Sequence, residues 1–512
     1  MQHNPTQNAN PNPKILFAKS SLLFALEKLA MQTQKPHAAL LASPGMGHLI
    51  PVVELGKRLS AHHGFDVTIF VVAADSSTEK SPIFASASGL DHLKLVLLPP
   101  VDVSGLIDLT TSVVTQLVMM MREALPSLRA AISIMRTRPT ALVVDLFGTE
   151  ALAVAEEFDM LKYVFITSTA RFLAATIHLP NIDAKAEHEH RIMKKPWEIP
   201  GLEPVRFEDT LDLFLNQTDK SLYAEYTRIG REIPTADGIL VNTWQDLEPS
   251  TLHALEDDEF LGRVAKAPVH PVGPLVRPVG PNFKSEVMNW LDKQPVESVI
   301  YVSFGSGGTL SAEQTTELAW GLELSRQRFV WVVRPPVDND ASGNFFNVSN
   351  SQDGTPNYLP QGFYTRVGDR GVVVPMWAPQ TEILAHKSVG GFVSHCGWNS
   401  TLESIVNGVP MVAWPLYAEQ GMNAAMLVEM LGTAVRPRTR PANRAIGREE
   451  IADMVRSIMD SKGNGMRTRA RELQRGATGA VCKGGSSDNS LTQVAKECEI
   501  KLHRLSAKAL GA

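Results

Sequence analysis

The chain has 512 residues, a formal net charge of −5, 44% hydrophobic residues and 20% charged residues. This balance is typical of a folded globular protein and gives no reason to expect nucleic acid or an anionic membrane as a partner. The length predicts more than one domain, most simply two large ones. Three cysteines without a CxxC pair predict neither a disulfide framework nor a cysteine zinc site. No apolar run reaches the ~20 residues that a transmembrane helix needs, so we expect no stable membrane insertion and a cytoplasmic protein.

The N-terminal residues 1–34 differ in composition from the rest of the chain. Residues 1–13 are rich in Asn, Pro and Gln, which predicts disorder, and residues 15–31 could form a short helix. Lys19 interrupts the apolar stretch and Glu27 follows it, which disfavours a secretory signal; a transit peptide is a weaker alternative. We expect residues 1–34 to be an extension outside the first domain.

Strand and helix patterns then alternate in two blocks. Short apolar runs such as HAALLAS and ALVVDLF are predicted to be strands and alternate with helical spacing over residues 35–266. The same alternation resumes over residues 282–512, with runs such as RFVWVVR and GGFVSH. The Pro-rich stretch 267–281 separates the blocks and is predicted to be a linker, and the last helix of the second block could pack back on the first domain. Two such blocks indicate an α/β fold with two doubly wound, Rossmann-like domains that face each other across a cleft. The polar residues 338–357 are predicted to form a surface loop in the second block.

A histidine follows the first predicted strand, in the segment SPGMGHLIP (43–51). Ligands of an α/β domain bind at the carboxyl ends of its strands, and Gly47 with its neighbours allows a tight turn that brings His48 to that edge. Asp145 ends the predicted strand ALVVD and should lie at the same edge, where a carboxylate orients an imidazole base and stabilises its charged form. The alternatives are a structural role for His48 and a helix cap near Thr149 for Asp145, which lies four residues before that position.

A small-residue loop follows the first strand of the second block, in SFGSGGTLSAEQ (303–314). Backbone and hydroxyl donors of such a loop can approach a phosphate, so Ser306 is predicted to contact a diphosphate. Ser311 and Gln314 have the spacing of a capping box that opens the next helix, and we assign Ser311 to structure.

Residues 377–420 contain the most informative run, WAPQTEILAHKSVGGFVSHCGWNSTLESIVNGVPMVAWPLYAEQ. A predicted strand ends at Ser394, and after a small polar turn a helix is predicted to start at Ser400; a helix N-terminus in this setting is an anion site. The ring of Trp377 and the amide of Gln380 suit a nucleobase. The side chains of Glu419 and Gln420 at the end of the run suit sugar hydroxyls. The run therefore predicts a site for a nucleotide that carries a sugar.

This run closely resembles the signature box of the plant family 1 UDP-glycosyltransferases, in which W-A-P-Q opens the motif, H-C-G-W-N-S lies at its centre and a D/E-Q pair ends it. The similarity extends from about Lys35 to the C-terminus. It is nearest to the hydroquinone glucosyltransferase (arbutin synthase-like) subgroup, through PGMGHLIP, VVDLFGTEA and SFGSGGTLS. The resemblance implies a GT-B fold and an inverting enzyme that transfers glucose from UDP-glucose to a small phenolic acceptor. UDP-glucose would be a co-substrate, with no other cofactor, and we expect a monomer.

The resemblance also implies a role for each matching residue. His48 would be the catalytic base and Asp145 its dyad partner. A Gln at the last box position accompanies glucose in this family and a His accompanies galactose, so Gln420 implies UDP-glucose. Leu146 and Phe147 follow Asp145 directly and should line the acceptor cavity, although core packing is the alternative for Phe147. The residues expected to bind the UDP-sugar are Gly47, Ser306, Trp377, Ala378, Gln380, His395, Gly397, Trp398, Asn399, Ser400, Glu403, Tyr417, Glu419 and Gln420.

Two of these assignments compete with other interpretations. Ser400 and Glu403 also have the spacing of a capping box, whereas the family places Ser400 on phosphate and Glu403 on the ribose hydroxyls. Asp338–Asp340 resembles the D-x-D motif of metal-dependent glycosyltransferases, but it lies in the polar loop and we expect a solvated turn there and no metal.

Three alternatives for the function stay open. The acceptor could be a flavonoid or another specialised metabolite. The chain could be a nucleotide-sugar-binding protein without catalysis, which the presence of both His48 and Asp145 disfavours. It could also be a two-domain NAD oxidoreductase, which the incomplete G-x-G-x-x-G pattern around Gly45 and Gly47 disfavours.

Overall fold

The computed structural model describes residues 35–73, 92–107, 111–215, 219–280, 284–337, 358–441, 444–460 and 464–509. The predicted extension (1–34), the predicted polar loop (338–357) and Asp338–Asp340 lie outside the described residues.

The first domain is built on a sheet of seven parallel strands: β1 (His37–Ala42), β2 (Asp66–Val71), β3 (Leu93–Leu97), β4 (Ala141–Asp145), β5 (Leu161–Ile166), β6 (Gly238–Val241) and β7 (Val269–Pro271). Their order is β3-β2-β1-β4-β5-β6-β7. The order reverses between β1 and β4, so the carboxyl ends of these two strands form the switch point at which such folds bind ligands.

The second domain repeats this plan with six parallel strands: β8 (Val299–Ser303), β9 (Arg328–Val333), β10 (Gly371–Pro375), β11 (Val389–Ser394), β12 (Met411–Ala413) and β13 (Ala434–Val435). Their order is β10-β9-β8-β11-β12-β13. The switch point of this sheet lies between β8 and β11.

Helices supply the layers outside the sheets. They are α1 (Met46–His63), α2 (Val113–Glu123), α3 (Leu125–Ser133), α4 (Leu152–Glu157), α5 (Ala170–His178), α6 (Ala184–Arg191), α7 (Asp212–Leu215), α8 (Lys220–Glu232), α9 (Pro249–Glu256), α10 (Gly262–Ala265), α11 (Glu286–Leu291), α12 (Ala312–Ser325), α13 (Phe363–Val367), α14 (Gln380–Leu384), α15 (Trp398–Val406), α16 (Gln420–Ala425), α17 (Arg448–Met459), α18 (Asn464–Val481) and α19 (Ser486–Ala509).

Both faces of each sheet are buried. Along β1, Leu40 and Leu41 belong to two different hydrophobic clusters, and along β8 the same is true of Ile300 and Tyr301. Successive side chains of a strand point to opposite faces, so each sheet has a core above and below it. The prediction of two doubly wound α/β domains is confirmed.

Two details concern the ends of the predicted domains. Strand β7 lies inside the stretch 267–281, so the first part of the predicted linker is an edge strand of the first sheet. The last helix, α19, packs on the first domain, where the Tyr163 hydroxyl donates to Glu497 Oε2 at 2.6 Å. Where the domains begin and end otherwise stays a prediction. Among the described residues, no helix is long and apolar enough to cross a membrane.

Candidate active site

The first half of the site lies at the switch point of the first sheet. Strand β1 leads through Ser43 to Gly45, whose φ of 100° allows the turn into α1, and His48 lies in the first turn of that helix. Because β1 and β4 are paired, with Leu41 opposite Val144, the residues that follow them are also neighbours. His48 Nδ1 lies 3.4 Å from Asp145 Oδ2, with 15% of the histidine side chain and none of the aspartate side chain exposed.

Asp145 is held by more than the histidine. Its Oδ2 accepts from the Ser43 N–H at 2.8 Å and from the Ser43 hydroxyl, and its Oδ1 accepts from the Phe147 N–H at 3.1 Å. The last contact caps a 3-10 helix at Leu146–Ala151. The expectation that Asp145 lies too early to cap a helix was therefore wrong, because the helix begins three residues before the predicted start near Thr149. One carboxylate both caps this helix and faces His48.

Two further residues border the histidine. The ring of Phe147 lies 5.0 Å from the His48 ring, tilted by 48°. Phe147 is 5% exposed and Leu146 is 3% exposed, so both side chains belong largely to the core of the first domain. Sequence reasoning missed Thr167, whose Oγ1 lies 3.4 Å from His48 Nδ1. The available clue was its position directly after strand β5, at the same edge as Asp145.

The second half of the site consists of four turns at the carboxyl edge of the second sheet. Each turn contains a residue with a left-handed backbone, with φ of 77° at Gly305, 64° at Met376, 63° at Cys396 and 54° at Ala418. A residue other than glycine in this conformation costs about 1–3 kcal/mol and persists only where its surroundings hold it. The residues that follow these four are Ser306, Trp377, Gly397 and Glu419, all of which the sequence assigned to the donor.

His395 lies at the centre of this edge and is buried at 8% exposure. A Cβ atom on Gly305 would lie 2.5 Å from His395 Cε1, and one on Gly397 would lie 2.4 Å from His395 Nε2, so the ring needs glycine on both sides. Burial first, and the charge of Arg334 second, lower the pKa of His395 to about 4. Its Nδ1 has no hydrogen-bond partner among the described residues. The ring is therefore neutral near pH 7 and can offer a hydrogen bond, rather than a charge, to an anion.

Arg334 adds a positive charge to this edge, and sequence reasoning missed it. Its Nη1 donates to the Ser306 carbonyl, and its Nη2 donates to the Met376 carbonyl at 3.2 Å. It therefore joins the loop after β8, which exposes Ser306, to the turn that precedes Trp377. The clue was its place directly after the predicted strand RFVWVV.

Helix α15 begins earlier than predicted. It starts at Trp398 with Gly397 as its N-cap, so the predicted start at Ser400 was wrong. Ser400 and Glu403 do not form a capping box, because Gly397 is the N-cap and no side chain caps this helix. Instead, Gln380 Nε2 donates to Ser400 Oγ at 2.8 Å and to Glu403 Oε2 at 2.7 Å. Burial raises the pKa of the Glu403 carboxyl. Gln380 at the start of α14 and Ser400 and Glu403 of α15 thus form one polar cluster.

The start of α15 also contacts the first domain. Asn399 Nδ2 donates to the Gly47 carbonyl at 3.1 Å, and the buried Trp398 donates through Nε1 to the Asn242 carbonyl at 2.8 Å. These contacts bring the N-terminus of α15 next to the turn that carries His48. Asn399 Oδ1 is buried without a partner among the described residues.

The remaining predicted donor residues surround this edge. Trp377 is 58% exposed, whereas Ala378 beside it is buried. Glu419 accepts from the Ser168 hydroxyl across the cleft at 2.9 Å. Gln420 Oε1 accepts from the N–H groups of Leu416 at 2.9 Å and Tyr417 at 3.1 Å, so its carbonyl oxygen holds the turn, and its side chain also hydrogen-bonds the Tyr417 hydroxyl.

The described residues contain no cluster of three or more His, Cys, Asp or Glu side chains able to hold a metal ion. The site instead combines a histidine–carboxylate pair at one sheet edge with a helix N-terminus, an arginine and an exposed indole at the other. Together with the two doubly wound domains, this set defines a transferase of the GT-B class that acts on a nucleotide-linked group.

The comparisons with known proteins place the chain in one family. Residues 272–468 match the family model described as UDP-glucoronosyl and UDP-glucosyl transferase. The chain is 52% identical over 489 residues to UDP-glycosyltransferase 72E1 of Arabidopsis thaliana, an alignment that covers 94% of this chain and 100% of that relative. The protein belongs to the plant UDP-glycosyltransferases, enzymes that transfer a glycosyl group from a UDP-sugar to small molecules without a metal cofactor.

Other relatives carry more specific names. The chain is 53% identical to anthocyanidin 3-O-glucosyltransferase 5 of Manihot esculenta over 467 residues, which cover 91% of this chain and 96% of the relative. It is 43% identical to the hydroquinone glucosyltransferase of Rauvolfia serpentina over 475 residues, which cover 91% of this chain and 98% of the relative. The crystal structure of TcCGT1 in complex with UDP superposes with a TM-score of 0.86 at 47% identity, covering 91% of this chain and 100% of that one.

Proposed function

We propose that this protein is an inverting UDP-glucose-dependent O-glucosyltransferase that transfers glucose to the hydroxyl of a small phenolic acceptor, such as hydroquinone or a monolignol, and releases a β-glucoside. The observation that carries the proposal is the His48–Asp145 pair, 3.4 Å apart at the switch point of the first sheet. The Asn399–Gly47 hydrogen bond brings the proposed donor site next to this pair.

In the proposed reaction, His48 Nε2 takes the proton of the acceptor hydroxyl while the oxygen attacks C1 of UDP-α-glucose. The new C1–O bond forms on the face opposite the departing UDP, so the bond to the diphosphate breaks with inversion. Asp145, which lies on the Nδ1 side of the ring, stabilises the imidazolium. The histidine then returns its proton to solvent, and UDP leaves with its additional negative charge.

The contacts in the proposed donor site support assigning the base, ribose, diphosphate and glucose of the donor to different turns of the second sheet. We assign the diphosphate to Ser306, His395, Asn399 and Ser400 at the N-terminus of α15, where free N–H groups and the helix dipole favour an anion. Trp377 offers an exposed ring on which a base can stack. Gln380 with Glu403 would bind the ribose, and Glu419 with Gln420 the glucose hydroxyls.

Glucose is the proposed sugar because Gln420 stands at the position where this family carries Gln for glucose and His for galactose. The amide nitrogen and the Glu419 carboxylate would pair with hydroxyls of one configuration. An epimer would leave one of these polar groups without a partner, which is how such sites discriminate.

The small phenolic acceptor rests on weaker support. Phe147 offers an aromatic side chain 5.0 Å from the His48 ring, and apolar walls with few polar groups suit a flat phenol. The relative named hydroquinone glucosyltransferase is 43% identical. A flavonoid acceptor is the second candidate, favoured by the 53% identity with the anthocyanidin glucosyltransferase.

A competition assay tests donor and acceptor together. Purified protein receives equal concentrations of UDP-glucose and UDP-galactose with a mixture of hydroquinone, a monolignol, an anthocyanidin and a terpenoid alcohol, and the products are identified by mass spectrometry and chromatography. We expect glucosides of the simple phenols to dominate. Dominant flavonoid or terpenoid glucosides would overturn the acceptor proposal, and dominant galactosides would overturn the donor proposal.

A further inference from the structure

A segment of the first domain, residues 206–212, lies against the turn of the second domain that carries Glu419 and Gln420. Three ion pairs join this segment to the second domain: Arg206 Nη2 with Glu429 Oε1 at 2.5 Å, Asp209 Oδ1 with Arg436 Nη1 at 2.8 Å, and Asp212 Oδ1 with Arg440 Nη2 at 3.3 Å.

Packing reinforces this contact at the start of α16. A Cβ atom on Gly421 would lie 3.1 Å from both the Cα and the carbonyl oxygen of Asp209, so the helix start and the segment touch through their backbones. Met422 is 2% exposed and belongs to the hydrophobic core of the first domain, together with Phe214. The first residues of α16 are therefore anchored in the opposite domain.

One contact bears directly on the proposed sugar-binding residues. Asp212 Oδ2 accepts from the N–H of Ala418, the residue with a left-handed backbone at φ 54°. Alanine adopts this conformation only at a cost, so a turn built on it needs external support. The carboxylate of Asp212 supplies that support from the first domain. Glu419 follows Ala418 immediately, and its direction depends on the turn.

We propose that Asp212 is a positioning residue for the donor sugar: by holding the N–H of Ala418 it fixes the direction of the Glu419 carboxylate and the Gln420 amide. This inference rests on the proposed function, in which these two side chains bind the sugar. It implies that the first domain controls binding of the sugar, whereas the uridine and diphosphate contacts come from the second domain. Loss of Asp212 should therefore affect UDP-sugar and UDP differently.

The experiment compares Asp212→Ala and Asp212→Leu with Asp212→Asn. The first two remove the acceptor, with Leu keeping most of the volume, and Asn retains a carbonyl oxygen for the Ala418 N–H. We expect Ala and Leu to raise the KM for UDP-glucose about tenfold, since a hydrogen bond to a charged group is lost. UDP affinity by calorimetry should change less than about twofold, and Asn should restore the KM to within about threefold of wild type.

Arg206→Ala is the matched control, because it removes an ion pair of the same interface without touching the turn. It should leave the KM for UDP-glucose unchanged. Three results would overturn the inference: equal losses of UDP and UDP-glucose binding, an Arg206→Ala effect as large as that of Asp212→Ala, or failure of both Asp212→Ala and Asp212→Leu to fold. If the wild-type enzyme prefers another UDP-sugar, the donor proposal fails, and the same comparison with that sugar still tests Asp212.

Discussion

The side chain of Asn399 donates to the carbonyl of Gly47 at 3.1 Å and so links the helix of the proposed diphosphate site to the turn that carries His48. The two residues are 352 positions apart in the chain. The link brings the proposed base next to the proposed binding site of the leaving group. Since proximity and orientation of reacting groups account for much of enzymatic rate enhancement, this relationship is central to the proposed mechanism.

Replacement of the proposed base should affect acceptors according to their acidity. General-base assistance contributes about 10²–10⁴-fold, so His48→Ala should lower kcat for an aliphatic alcohol by that factor. An acidic phenol is partly ionised already and should lose less. Initial rates against a series of substituted phenols measure this, with Asp145→Asn as the companion variant. Full activity of His48→Ala on a weakly acidic acceptor would contradict the assignment.

Gln420 has two roles that substitution can separate. Its Oε1 holds the turn through Leu416 and Tyr417, and its amide nitrogen is assigned to the sugar. Gln420→Glu keeps an oxygen acceptor for the turn but loses the amide donor, whereas Gln420→Ala loses both. We expect both variants to raise the KM for UDP-glucose, and Gln420→Ala to lower the melting temperature as well. An unchanged KM in Gln420→Glu would exclude the amide from sugar recognition.

Trp377 should contribute to nucleotide binding without contributing to stability. Its side chain is 58% exposed, so truncation removes little buried surface. Stacking of a base on an aromatic ring contributes about 1–3 kcal/mol, which corresponds to a roughly 5- to 150-fold loss of UDP affinity in Trp377→Ala. Calorimetric titration with UDP and a thermal melt of the same sample measure both quantities. Unaltered UDP affinity would remove Trp377 from the donor site.

His395 predicts a pH dependence of stability with a defined sign. Its pKa is about 4 in the folded protein, against an ordinary histidine value of 6.5. Between these values the unfolded state binds the proton and the folded state does not, so the contribution to stability is complete above pH 6.5 and is lost as the pH falls toward 4. At pH 4.5 the loss should be roughly 2 kcal/mol. Urea unfolding at pH 7 and pH 4.5 should show a smaller difference for His395→Gln than for wild type; equal differences would contradict the assignment.

Much of the fold could be predicted because the strands of parallel sheets are continuous apolar runs. The segments HAALLAS, ALVVDLF and GGFVSH each form a strand close to the predicted bounds. Strand β7 was missed because its residues, Val269–Pro271, lie in a Pro-rich context, which an edge strand tolerates. Strand β13 (Ala434–Val435) was not predicted, because two residues are too few to show the apolar pattern of a strand.

Site residues could be predicted from the sequence where they lie at or directly after the end of a predicted strand. His48 and Asp145 lie together because their strands are neighbours, which the sequence pattern alone could not show. Contacts that depend on the packing of distant segments were not predictable. Arg334 donates to the backbone carbonyls of Ser306 and Met376. Because every residue has a backbone carbonyl, the residue types at these positions do not reveal the contact.

Helix starts were the other source of error. The helix starts near Thr149 and at Ser400 were predicted because Thr and Ser are among the residues that most often cap helix N-termini. In the structure, Asp145 caps a 3-10 helix directly after β4, and the backbone of Gly397 opens α15. Both helices begin within four residues of a strand end, which leaves their N-termini at the sheet edge where the ligands are proposed to bind.

Proton NMR of the product tests the proposed reaction most directly. The purified enzyme is incubated with UDP-α-glucose and hydroquinone, and the anomeric proton of the glucoside is recorded as it forms, before any chemical equilibration. In-line attack by a hydroxyl that His48 deprotonates predicts the β-glucoside as the initial product, with one UDP released for each glucoside. An α-glucoside, or release of UDP and free glucose without any glucoside, would contradict it.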